Sequence, residues 1–163
     1  ESFVCVTGEV TIDAATPEQF MDRAVDFMNE HIWGTLAASL TVPNEFRRTH
    51  SAALDAAISR LRYGTIGINQ WTGVAYGLMS PPWGAFPVDC LRDVQSGLGF
   101  VHNTLLLDRP QKTVIQSPLS LFPRPVWFST NRRPAAISWK LCRLYSNPAV
   151  WMLPGLLTEA IRG

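Results

Sequence analysis

Residues that usually organise small catalytic or metal sites are scarce in this chain. Three cysteines and three histidines stand among 163 residues. There is no Cys-x-x-Cys pair and no histidine cluster near a cysteine, so neither a disulfide framework nor a zinc site is signalled. The dinucleotide, P-loop, His-Glu-x-x-His and Gly-x-Ser-x-Gly signatures are all missing. Long apolar runs are missing too: the longest, Pro148 to Leu157, falls short of the ~20 residues a bilayer-crossing helix needs and is interrupted by Pro154-Gly155. No targeting pattern, internal repeat or low-complexity segment is visible, and with thiols in odd number the default compartment is the cytoplasm. The absence of an initiator Met, with an apolar run from Phe3, gives the expectation of a piece cut from a longer protein.

What is present argues for a globular chain. Hydrophobic residues make up 47% of it, enough for one sizeable core, and nothing suggests two independent domains. The formal charge of +1 hides an asymmetry. Six Lys/Arg face eleven Asp/Glu through Asn103, and eight face two from Thr104 onward. A cationic tail carrying Trp127, Trp139 and Trp151 suits a contact with the acidic remainder of the same protein or its neighbour, with a membrane surface or nucleic acid as alternatives.

Periodicity predicts a strand over Phe3 to Ile12, where β-branched and aromatic residues dominate. Thr16-Pro17-Glu18-Gln19 then reads as a capping box with proline at the first helical position. The helix it opens carries an apolar stripe of Phe20, Ala24, Phe27 and Met28, widened by Met21, Val25 and Ile32, and stops near Gly34. Leu36 to Val42 reads as a strand, Asn44 to Leu61 as a helix, and Thr65 to Asn69 as a short buried strand. This alternation predicts an α/β fold, a mainly parallel sheet with packed helices and right-handed crossovers. From Gln70 to Asn103 periodicity is lost, which predicts a long binding loop. Thr104 to Asp108 and Thr113 to Gln116 read as strands, and Pro134 to Tyr145 and Asn147 to Arg162 as terminal helices, the second kinked at Pro154.

Several short motifs stand in a telling order. Leu61-Arg62-Tyr63-Gly64-Thr65-Ile66-Gly67-Ile68-Asn69 is followed by Pro81-Pro82-Trp83-Gly84-Ala85 and then by Gln95-Ser96-Gly97-Leu98-Gly99. Upstream lie Glu1-Ser2-Phe3 and the segment Asn29 to Leu36, and downstream Pro110-Gln111-Lys112-Thr113-Val114-Ile115. Together they resemble the last part of the catalytic domain of the aldehyde dehydrogenases. The resemblance implies three segments: residues 1–103 as the C-terminal part of that domain, 104–123 as interface strands for oligomerisation, and 124–163 as an added basic, Trp-containing helical tail.

In such a parent, an upstream cysteine thiolate attacks the aldehyde, hydride passes to NAD or NADP, and water releases the acid. The resemblance puts Glu1 on the nicotinamide ribose hydroxyls and Phe3 beside the ring. It assigns Trp71, Val74, Tyr76 and Trp83 to a hydrophobic aldehyde tunnel, and Lys112, Thr113, Val114, Ile115 and Gln116 to a strand that pairs with another subunit of a homo-oligomer. The nucleophile would precede residue 1, so residues 1–163 alone are expected to be inert.

Two rival readings remain. One is a non-enzymatic interaction or peripheral-membrane module that uses the tail. The other is a small complete enzyme built on Cys90, the one cysteine placed in the long loop rather than in a predicted strand (Cys5) or helix (Cys142). His31 and His50, within predicted helices, read as satisfied or exposed side chains rather than ligands.

Overall fold

The computed structural model describes residues 4–88 and 90–163, and the chain divides into two compact units, residues 1–119 and 120–163. The first unit is an α/β fold around a three-stranded parallel sheet in the order β1-β2-β5. β1 spans Ala37–Leu40, β2 Thr65–Ile68 and β5 Thr113–Gln116. In register, Ala37 faces Thr65 and Thr65 faces Thr113.

The first helix, α1, runs Pro17–His31 and begins as its capping residues dictate. The Gln19 amide donates to Thr16 Oγ1 at 3.2 Å, and the Gln19 side chain accepts from the Ala15 amide at 3.1 Å. The reciprocal half of the box therefore reaches one residue further back than the usual pattern. Val25 is fully buried, with Met21 and Met28 packed against the core. Phe20 and Ile32, expected in the apolar stripe, remain about half exposed. The buried stripe is centred on Val25, where α1 packs against α3.

The helix expected from Asn44 to Leu61 is two, α2 at Asn44–Thr49 and α3 at Ser51–Arg60. His50 breaks the run: its backbone leaves helical geometry at φ −128°, its ring stacks on Phe46 at 4.7 Å, and its Nε2 meets Glu18 Oε1 at 2.6 Å. From α3, Leu54 and Ala57 join Leu61, Tyr63, Ile66 and Ile68 in the core.

Every residue of β2 is buried, as a central parallel strand requires. Its neighbour Gly64 lies so close to the Gly84 carbonyl that a Cβ would collide with backbone, and Gly67 meets the Gln70 carbonyl in the same way. The chain after β2 thus folds back over the strand it has just left.

Several expected strands do not form. Residues 4–12 have no strand and are almost wholly exposed. They find no sheet edge among the described residues, and a β-branched run without a partner gains nothing from extension. Cys5 is accordingly exposed rather than a core thiol, and so is Cys142 on the terminal helix. Thr104 to Asp108 consists of turns and bends, with Leu105 and Leu106 in solvent. The long loop, conversely, has structure of its own: α4 at Gly73–Leu78, and β3 (Trp83–Gly84) paired antiparallel with β4 (Phe100–Val101).

The second unit is a helical hairpin, α5 at Pro134–Ser146 and α6 at Leu153–Arg162, joined through a 3-10 turn at Val150–Met152. Pro154 sits in the first turn of α6, where its missing N–H costs nothing, so it starts a helix instead of kinking one. Lys140 ties the helices together, donating to the Gly155 carbonyl at 2.9 Å and to Glu159 Oε1 at 3.2 Å. That lysine hydrogen bond, with the charges of Arg133 and Arg162 nearby, holds the Glu159 carboxyl below the usual range.

Candidate functional site

Gly64 to Asn69 is where sequence motif and core coincide. At the carboxyl end of β2, Asn69 turns the chain in the left-handed region at φ 54°, a conformation asparagine tolerates better than most residues. Its side chain then clamps β1 from both directions, accepting from the Val42 amide at 2.7 Å and donating to the Val42 carbonyl at 2.9 Å. Ser117, just beyond β5, donates its amide to the Ile68 carbonyl at 3.0 Å. The carboxyl edge of the sheet is therefore fixed by polar contacts, and the segment that follows departs from a rigid point. In open α/β sheets this edge is the usual place for a ligand.

The four residues assigned to the aldehyde tunnel come from that segment, but they are not equally close. Tyr76, on α4, meets Trp83, on β3, edge to face with ring centroids 5.6 Å apart. Trp71 instead covers Gly73, where a Cβ would strike its ring, and Val74 is half-buried in the first turn of α4. His102 completes the cluster, its ring 5.2 Å from that of Tyr76. It stands at φ 67°, and its Nδ1 is buried with no hydrogen-bond partner among the described residues. Sequence reasoning passed over His102. The signal available was its position three residues beyond Gly99, in the segment that pairs back on Trp83.

A cleft of about 370 Å³ lies elsewhere in the same unit. The end of α1 (Met28, Asn29), Gly34 and Thr35, Arg62 and Tyr63, and Phe86, Pro87, Val88, Cys90, Asp93 and Gln95 form its walls. None of the four tunnel residues lines it. The Thr35 hydroxyl is buried there without a partner among the described residues. Gln95 and Ser96 hold the rim by accepting from the Gly34 and Thr35 amides at 3.0 and 2.7 Å. Arg62 is engaged by Glu30. Asp93 lines the same cleft as the exposed Cys90, and no histidine is among the described wall residues.

Lys112 has a role the sequence did not announce. It precedes β5, and its Nζ donates to the carbonyls of Ile58, Ser59 and Leu61 at 3.0, 2.9 and 2.6 Å, completing the end of α3. The same ammonium lies 5.2 Å from the centre of the Phe86 ring. Burial lowers its pKa from the ordinary lysine value. β5 pairs along one edge with β2 of its own chain. Pairing of Thr113, Val114, Ile115 and Gln116 with a second subunit would have to use the other edge.

Glu1 and Phe3, expected at the cofactor, lie outside the described residues. No group of three or more metal-ligating side chains occurs among the described residues, and no helix among them is long and apolar enough to cross a membrane. Comparison with protein-family models, with curated proteins and with solved structures found no match to this chain.

Proposed function

We propose that this chain is the C-terminal portion of an aldehyde dehydrogenase-like catalytic domain, contributing a sheet and an aromatic substrate wall to NAD(P)-dependent aldehyde oxidation. One observation carries the reading: the Gly64–Asn69 motif contains β2, a fully buried central parallel strand, and the aromatic residues that follow it leave from its carboxyl end. Tyr76 and Trp83 supply apolar ring surface, and His102 adds a polar atom not satisfied by its neighbours. That combination suits a hydrophobic substrate with one hydrogen-bonding group.

The chemistry would belong to the whole assembly. Glu1 and Phe3 would help hold the nicotinamide nucleotide, which when bound would supply the hydride acceptor, and an upstream cysteine would supply the thiolate that attacks the carbonyl. Residues 1–163 provide no dinucleotide signature, and one carboxylate and one ring cannot offset the cost of immobilising a cofactor. The chain alone is therefore inert, and its thiols do not substitute for the missing nucleophile.

The test uses two proteins: residues 1–163, and the same chain expressed with the coding sequence that precedes Glu1. NADH formation from a hydrophobic aldehyde by the longer protein only, reduced by Tyr76→Ala through a raised KM, supports the reading. Turnover by residues 1–163 that is lost in Cys90→Ser would overturn it in favour of the small enzyme.

A further inference from the structure

We infer that the helical hairpin of residues 120–163 docks on an anionic membrane surface, with α6 presenting an apolar row and arginines beside it meeting lipid phosphates. This goes beyond the dehydrogenase reading and does not depend on it, since it concerns the second unit alone.

Three observations point the same way. First, Leu153, Leu157 and Ile161 recur at four-residue spacing on α6, and all are exposed, at 40, 57 and 58%. An amphipathic helix whose apolar row faces solvent has that row unburied, which is what interfacial helices present to lipid. In the 3-10 turn just before that helix Val150 and Trp151 are 78 and 80% exposed, and tryptophan is the side chain best suited to the headgroup boundary.

Second, the unit holds six Lys/Arg and one carboxylate. That carboxylate, Glu159, is spent inside the hairpin on Lys140 and Arg133. Arg162 lies near the same Glu159, and Arg124, Arg132 and Arg143 have no ion pair among the described residues. Third, Arg124, Arg132 and Arg162 converge with Phe122 and Ile161 around a cleft of about 220 Å³, the Gly163 backbone closing it. Arg124 donates to the Thr130 and Gly163 carbonyls at 3.1 and 3.4 Å, and the Arg132 amide reaches the Gly163 carbonyl at 3.3 Å. The first two contacts fix the Arg124 guanidinium on carbonyls without neutralising it. Ile161 belongs both to the apolar row and to the cleft wall, so guanidinium groups stand where an inserted row would bring phosphates.

An acidic protein surface is the competing occupant. In the first unit Asp22 and Asp26 pair with Arg60, Glu30 with Arg62 and Glu18 with His50. An exposed apolar row also gains more from lipid than from a charged protein face.

The experiment is cosedimentation of residues 1–163 with vesicles of phosphatidylcholine alone and of phosphatidylcholine with about one-third phosphatidylserine. Binding to the anionic vesicles with a blue shift of tryptophan emission is expected. Arg132→Glu/Arg162→Glu should weaken it roughly tenfold or more, and Leu157→Ser/Ile161→Ser should abolish the blue shift, with helicity checked by circular dichroism. If either variant loses its helices, the unmodified chain still decides: binding that falls steeply between low salt and about 0.5 M salt supports the inference. Equal binding to neutral vesicles, or no vesicle binding alongside tight binding of soluble polyglutamate, overturns it.

Discussion

Residues 4–12 and residues 61–69 are both rich in β-branched side chains, yet Val4, Val6 and Val10 are more than half exposed while Ile66 and Ile68 are sealed from solvent. The second run has α1 and α3 over one face and a strand on either side; the first has no ladder partner among the described residues. Strand-forming composition is therefore permission to join a sheet, and the packing of neighbours decides whether it is used. The same substitution should have very different effects in the two runs.

The largest contrast is expected at Ile66. Truncation to alanine leaves a cavity between β2 and the helices and should cost about 2–5 kcal/mol in urea unfolding, enough to unfold a marginal domain. A smaller loss, about 1–3 kcal/mol, is expected for Lys112→Met, which removes the donor from three carbonyls at the end of α3. A midpoint unchanged by that substitution would mean that water caps α3 as well as the ammonium does.

Tyr63, beside β2, sharpens the comparison through pH. Its hydroxyl donates to the Met28 carbonyl at 3.0 Å, and burial raises its pKa above the ordinary 10.0. Above pH 10 the unfolded chain loses this proton before the folded one, so the folded state binds more protons and stability falls as pH rises through the raised value. Lys112 acts in the opposite sense: its lowered pKa means that the folded state releases a proton first, and stability rises with pH up to the ordinary 10.5. Urea midpoints between these limits should therefore fall less steeply with pH in Tyr63→Phe, and more steeply in Lys112→Met, than in the unmodified chain. At the small end, Val6→Ala and Val10→Ala should change stability by no more than about 0.5 kcal/mol. A loss comparable to that at Ile66 would show that residues 4–12 pair with something in solution.

The legible parts of the fold were those where local chemistry and tertiary packing agree. The Thr16 cap, the strands around Ala38 and Ile66, and the helix opened by Pro134 all carry their reasons within a few residues. The break at His50 has no Gly or Pro between Asn44 and Leu61 to mark it. α4 hides because two of its six residues are glycines. Leu105 to Leu107 looks like a strand only until its lack of a partner is seen. In the candidate site, the motif order pointed to Tyr76 and Trp83, and their contact bears on that assignment. Asn69 and His102 were missed because a left-handed backbone and an unpartnered ring nitrogen leave no periodic trace.

The register of β2 also bears on how the sheet assembles. Attaching β1 closes a loop of 28 residues, from Ala37 to Thr65, and attaching β5 closes one of 48, from Thr65 to Thr113. Because closure entropy grows only logarithmically, the longer excursion costs about 0.5 kcal/mol more than the shorter. The segment from Gln70 to Gln111 can therefore lengthen, shorten or change sequence at little expense to the sheet, provided Gly64 and Gly84 keep their close approach and Lys112 still reaches the end of α3. A substrate wall carried on such a segment is free to diversify while the strands that anchor it stay as they are.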